Sequence, residues 1–88
     1  MKIIRTKRFE KCFNKRIKND PSLVNQFKKC FLIFEKEENH PLLKTHFLKG
    51  NLSGYKAFSI SGDIRVIYKK EKDTIILYDI GIHNQVYK

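Results

Sequence analysis

The chain predicts an α+β fold: an N-terminal strand, then an antiparallel helical hairpin packed on one face of a small, mainly antiparallel four-stranded sheet. Three observations predict it. Apolar residues recur at helical spacing in two stripes that "NDPS" separates. After "KEENHP" the period changes to two, with Gly50, Gly54 and Gly62 around the first alternating run. Finally, 88 residues leave room for only one core, which both halves must share. A single domain is therefore expected over residues 1–88.

Taken in order, "KIIRT" (residues 2–6) reads as a short opening strand. "KRFEKCFNKRIKN" then sets Phe9, Cys12, Phe13, Arg16 and Ile17 on one helical face, with Lys and Arg on the other. Asp20 can cap a second helix and Pro21 suits its first position. Leu23, Val24, Phe27, Cys30, Phe31 and Phe34 continue as one stripe to about residue 37. So short a turn between two amphipathic helices predicts that they pack antiparallel. Downstream, Phe58 and Ile60 share one strand face, "DIRVIYKK" (63–70) forms a second strand, and "EKD" turns tightly into "TIILYDIG" (74–81). Ile64, Val66 and Tyr68 are expected to join Phe58 and Ile60 against the helices. Tyr55, Ala57, Ser59, Arg65 and Lys69 then point to the other face, open or partly covered. An arginine inside so apolar a strand is expensive if buried and unpaired, so Arg65 should meet solvent or a phosphate. Tyr68 and Tyr78 read as core aromatics, and His40, before Pro41, as a surface residue.

Nineteen Lys and Arg against nine Asp and Glu give a formal charge of +10. Ten of the basic residues fall in the first thirty positions, where Glu10 and Asp20 are the only acids. A polyanion or an acidic protein would offset the resulting self-repulsion, although a solvated face that serves only solubility has the same composition. Charge alone does not separate RNA, DNA and an acidic protein. The apolar content of 41% argues against disorder. Apolar runs such as "CFLIF" are too short for a bilayer, which takes about 20 residues, and the N-terminus lacks the apolar stretch of a signal peptide. Cys12 and Cys30 lie in helical stripes with no CxxC, so no metal is expected. They read as reduced, packed thiols of a cytoplasmic protein, with a disulfide between the helices as the alternative.

The chain closes on "GIHNQVYK", an imidazole and a phenol directly after the last apolar run. Singly, His46, Asp63, His83 and Tyr87 read as ordinary loop, turn or tail residues. Together, the ordered set H-x-x-x-G (46–50), G-Y (54–55), G-D-x-R-V-I-Y (62–68) and G-x-H-x-x-x-[YF] (81–87) resembles the RelE/ParE superfamily of toxins from bacterial toxin–antitoxin pairs. Within it the likeness is greatest to YafQ-type ribosome-dependent messenger-RNA endonucleases. It covers residues 40–87 well and the helical hairpin by pattern only.

The resemblance implies functional positions at His46, Asp63, His83 and Tyr87, with Arg65 matching an arginine of RelE-type members. There is one departure: Ser59 stands where the YafQ pattern has a second histidine. Cleavage of RNA by its own 2′-hydroxyl needs one proton removed, one delivered to the leaving 5′-oxygen, and charge neutralised at phosphorus. Imidazole suits the proton transfers. His83 would then act as general acid or base, with His46 as its counterpart or as a positioning group. Asp63 would orient an imidazole, Arg65 with Lys69 behind it would hold the phosphate, and Tyr87 would stack on a base or donate to it. Lys7, Arg8, Lys11, Lys15, Arg16, Lys28, Lys29 and Lys49 would contact RNA, the helical ones docking on the ribosome. No cofactor is implied. The implied partners are the ribosome, messenger RNA and a cognate acidic antitoxin, with a heterotetramer expected for the toxin–antitoxin complex and no membrane. Two other readings stay open, a ParE-like gyrase inhibitor and a decayed toxin that only binds its antitoxin.

Overall fold

The structure, a computed structural model, describes residues 2–87. Strand β1 (Lys2–Arg5) leads into helices α1 (Lys7–Arg16) and α2 (Pro21–Lys36), and β2 (His46–Phe47), β3 (Lys56–Ser59), β4 (Ile64–Glu71) and β5 (Thr74–Ile82) follow. A last helix, α3, takes in His83–Val86. The sheet runs β1-β5-β4-β3-β2. Among the described strands only the β1–β5 pair is parallel, and the chain between these two strands is far longer than the hairpin turns that join β3 to β4 and β4 to β5.

The fold class is the expected α+β layer, with five strands instead of four. The addition is β2, whose two residues are too few to display a period. Asp63 also falls just outside β4, which starts at Ile64.

Both helix starts follow from their caps. The Thr6 hydroxyl accepts the Phe9 amide at 3.1 Å and donates to the Leu77 carbonyl at 2.8 Å, which ties the start of α1 to β5. The Asp20 carboxylate accepts the Ser22 and Leu23 amides ahead of α2. Phe9, Ile17, Phe27, Cys30 and Phe34 then bury against Phe58, Ile60, Ile64, Val66, Tyr68, Ile75, Leu77 and Ile80. The strand alternation expected for Phe58 to Tyr68 is the one observed. At its centre, Phe34 stacks on Phe58 with ring centroids 4.5 Å apart and meets the edge of Tyr68 at 4.9 Å.

The second face is partly covered, and the tail covers it. Helix α3 folds back so that Val86 packs on Ala57 and Ile67, with Leu48, Tyr55, Tyr78 and Tyr87 around this smaller apolar cluster. Tyr78 therefore belongs to the second face and not to the main core. One irregularity shapes β5: Ile67 pairs with Asp79 but Tyr68 with Leu77, so Tyr78 is an extra residue. Such a bulge re-aims its neighbours, and Asp79 reaches α1 as a result.

Candidate active site

Strand pairing defines the frame on the second face. His46 lies across from Ala57, which lies across from Ile67. Arg65 lies between Ser59 and Gly81. The two rows are two residues apart along β3, about 6.6 Å. Helix α3 packs beside them and carries His83 and Tyr87, whose rings meet edge to face with centroids 4.5 Å apart. Burial pushes the Tyr87 phenol up, and the positive charge of Arg65 pulls it the other way.

His46 is exposed, and its Nδ1 lies 2.9 Å from the Lys44 carbonyl. A carbonyl can only accept, so Nδ1 carries the proton and Nε2 of the neutral ring keeps its lone pair. Lys44 supplies that carbonyl from a left-handed backbone, φ 52°, which a side chain other than glycine seldom adopts. His40 has a different task. Its Nδ1 accepts the Leu42 amide at 3.1 Å and caps the 3-10 turn Pro41–Leu43.

The Arg65 guanidinium bends toward the β3–β4 turn, where Nη1 donates to the Gly62 carbonyl at 3.0 Å and the Ser61 carbonyl at 3.3 Å. Among the described residues no carboxylate pairs with it. Asp63 is exposed in the same turn. Ser59 is buried at the head of the Arg65 row.

The basic residues separate into two groups. Lys7, Lys11, Lys15, Lys28, Lys29 and Lys49 are exposed. Lys69, half-buried, lies 3.9 Å from Glu71 and near the Tyr55 ring. Arg8 and Arg16 are engaged internally. Arg16 Nη1 donates to Asp79 Oδ1 at 3.1 Å and to the Ile80 carbonyl at 2.8 Å, while Arg8 donates to Asp79 Oδ2 at 3.2 Å and stacks over Tyr78. Although the Arg8 side chain stays 53% exposed and that of Arg16 21%, the expectation of RNA contacts at both did not weigh this carboxylate, which is 1% exposed. Its signal was present in the sequence: an acid inside "TIILYDIG" raises the same cost of unpaired burial as Arg65.

A second network escaped the sequence altogether. Glu38 accepts Tyr68 Oη at 2.6 Å, Lys70 Nζ at 2.9 Å and Lys56 Nζ at 3.0 Å. Burial works to raise its carboxyl, but these bonds outweigh that and hold it at about 2. Burial first, and then the same carboxylate, push the Tyr68 phenol far up. Both cysteines are free thiols, and burial pushes each of them up. Among the described residues no three of His, Cys, Asp and Glu gather as a metal site requires, and no helix is long and apolar enough to cross a membrane.

No curated protein matches the chain in sequence. A family model described as "Bacterial toxin of type II toxin-antitoxin system, YafQ" matches residues 1–88. The fold is similar to that of YafQ from Escherichia coli BL21(DE3), with a TM-score of 0.83 at 18% identity over 98% of this chain and 97% of that one. The E. coli DinJ–YafQ complex matches with a TM-score of 0.77 at 20% identity, over 98% and 97% of the two chains. A metal-bound toxin from Helicobacter pylori matches with a TM-score of 0.76 at 25% identity over 98% of each chain.

Proposed function

The chain belongs to the YafQ family of toxins from bacterial type II toxin–antitoxin systems, and from that premise we propose that it is an endoribonuclease that cleaves messenger RNA on the ribosome. The observation that carries the reading is the tail. His83 and Tyr87 are not frayed but packed edge to face on the side of the sheet that also bears His46 and Arg65.

In this reading His46 is the general base, because its Nδ1 proton is directed to Lys44 and Nε2 is left to take the proton of the attacking 2′-hydroxyl. The oxygen then closes on phosphorus, and His83 delivers a proton to the departing 5′-oxygen. Tyr87 holds the His83 ring by its edge. Arg65 exchanges its carbonyl partners for a phosphate oxygen, the stronger acceptor because it is charged. Asp63, exposed beside Arg65, biases the protonation of the imidazole that approaches it.

The chemistry uses side chains alone, with no metal or other cofactor. The exposed lysines dock the toxin on ribosomal RNA, and an acidic cognate antitoxin covers the same basic body, as DinJ accompanies YafQ in the E. coli complex. The setting is the cytoplasm, where messages are translated, and the toxin–antitoxin complex is a heterotetramer.

The test is cleavage of a defined message on translating ribosomes. The wild type should cut, and His46→Ala and His83→Ala should each lower the rate about 10²–10⁴-fold. Undiminished cutting by both variants would overturn the assignment. A wild type that leaves the message intact but inhibits supercoiling by gyrase would transfer the chain to the ParE-like activity.

A further inference from the structure

His46 sits where a chain is least able to hold a side chain still. Strand β2 has two residues, lies at the edge of the sheet, and exposes both of its side chains. The Lys44 carbonyl that receives the Nδ1 proton belongs to a left-handed residue, a conformation that persists only where the surroundings enforce it. Residues 44–47 therefore need an anchor outside the strand.

Glu38 anchors them on both sides of His46. On the side before it, Thr45 Oγ1 donates to the Glu38 carbonyl at 2.8 Å and closes the loop that carries Lys44. On the side after it, the Glu38 carboxylate takes Lys56 Nζ at 3.0 Å, and the same ammonium lies 4.6 Å from the centre of the Phe47 ring. Strand pairing carries this grip to His46. Phe47, Lys56 and Tyr68 form one row across β2, β3 and β4, and His46, Ala57 and Ile67 form the next. Alternation places the two rows on opposite faces of the sheet. Glu38 bonds Lys56 and Tyr68 in the first row, and Lys70 farther along β4. Three donors on a carboxylate that is 12% exposed make a stiff attachment, because each bond is charge-assisted or short and little water competes.

We propose that Glu38 is the positioning residue for the His46 imidazole, fixing the chain on both sides of it so that the Lys44 carbonyl stays in line with Nδ1 and Nε2 stays free to accept. Glu38 touches neither His46 nor the reacting atoms and acts only through Thr45, Lys56 and the strand. The inference rests on the reading of His46 as general base, but its effect on the imidazole is measurable without cleavage. A reacting group misplaced by about 1 Å costs on the order of 10²-fold in rate, so release of one of two anchors should cost about tenfold.

The experiment compares the wild type with Glu38→Gln, Thr45→Val and Thr45→Ser, each checked for folding by circular dichroism. Long-range nitrogen–proton NMR spectra, recorded where the imidazoles are neutral, report the tautomer of each ring. In the wild type His46 should carry its proton on Nδ1, and His40, whose Nδ1 accepts the Leu42 amide, on Nε2. Glu38→Gln and Thr45→Val should each bring His46 toward the mixture of both tautomers that a free imidazole shows. Thr45→Ser, which keeps the hydroxyl, should match the wild type. On translating ribosomes the first two should lower the maximal cleavage rate about tenfold, with half-saturation changed less than about twofold. A His46 tautomer that every folded variant keeps overturns the clamp, and Thr45→Val decides this alone should Glu38→Gln not fold. Amide shifts that spread equally through α1 and β5 would mark general loosening and also overturn it. A tautomer that responds as expected while cleavage is absent or unaffected overturns the role of His46 as base and leaves the clamp standing.

Discussion

Single residues do work here that their neighbours in sequence do not announce. Gly81 is one. A Cβ there would sit 2.6 Å from Gln85 Oε1 and 2.7 Å from Arg16 Nη1. Neither neighbour is at liberty to yield, since Gln85 accepts the Ile82 amide and Arg16 bonds Asp79 and the Ile80 carbonyl. Gly81→Ala should lower unfolding stability in urea by about 1–3 kcal/mol. Gly62→Ala, with nothing within 4 Å of its added methyl, should stay within about 0.5 kcal/mol of the wild type. Glu38 supplies a pH dependence. Its carboxyl is depressed from the ordinary 4.5 to about 2 on folding, so its contribution is complete above the ordinary value and vanishes as pH falls from there through about 2. Over that window the wild type should lose about 2 kcal/mol more than Glu38→Gln, read from melting temperatures against pH. Asp79 was visible in the sequence as an acid in an apolar strand. Glu38 was not, because its three partners, Lys56, Tyr68 and Lys70, lie on strands far along the chain.

At the scale of elements, the crossing from β1 to α1 settles how the sheet edge is protected. β1 pairs with β5 only as far as Arg5 and Leu77. Beyond that point β5 would show an open edge, and α1 lies against it, with Arg16 capping the Ile80 carbonyl and both arginines meeting Asp79. Removing the acid leaves two cations facing one another. Asp79→Ala should therefore cost about 2–3 kcal/mol, below the usual loss for a fully buried pair because the side chain of Arg8 is 53% exposed. Thermal denaturation measures it, and Arg16→Ala should cost more than Arg8→Ala. The long elements were legible because each carries enough residues to display a period. β2, with two residues, and α3, with four, were not legible for the opposite reason. The left-handed turn at Lys44, which directs a carbonyl to His46, had no glycine to mark it.

For the whole molecule, the charge of +10 sets how it meets a polyanion. Lys7, Lys11 and Lys15 are exposed along α1 and engage no carboxylate among the described residues. Ribosome association should fall steeply and linearly in log affinity against log salt. Replacing Lys11 and Lys15 by Glu should weaken it at least tenfold at low salt and flatten the slope, with melting temperature little changed; sedimentation with ribosomes across a salt series measures this. Thr6, read in the sequence as the end of the opening strand, caps α1, whereas the alternation of apolar residues, the Asp20 cap and the surplus of cations belonged to the sequence by itself. So did the ordered set of histidines, glycines and aromatics that marks the family. Each of these is a local pattern or a sum over the chain, and neither depends on which distant residues meet. Which arginines stay available, where the tail folds, and which loop faces Tyr87 were decided only in three dimensions. Those outcomes depend on partners from opposite ends of the chain, and a contact between remote residues leaves no period, cap or composition to be read along the line.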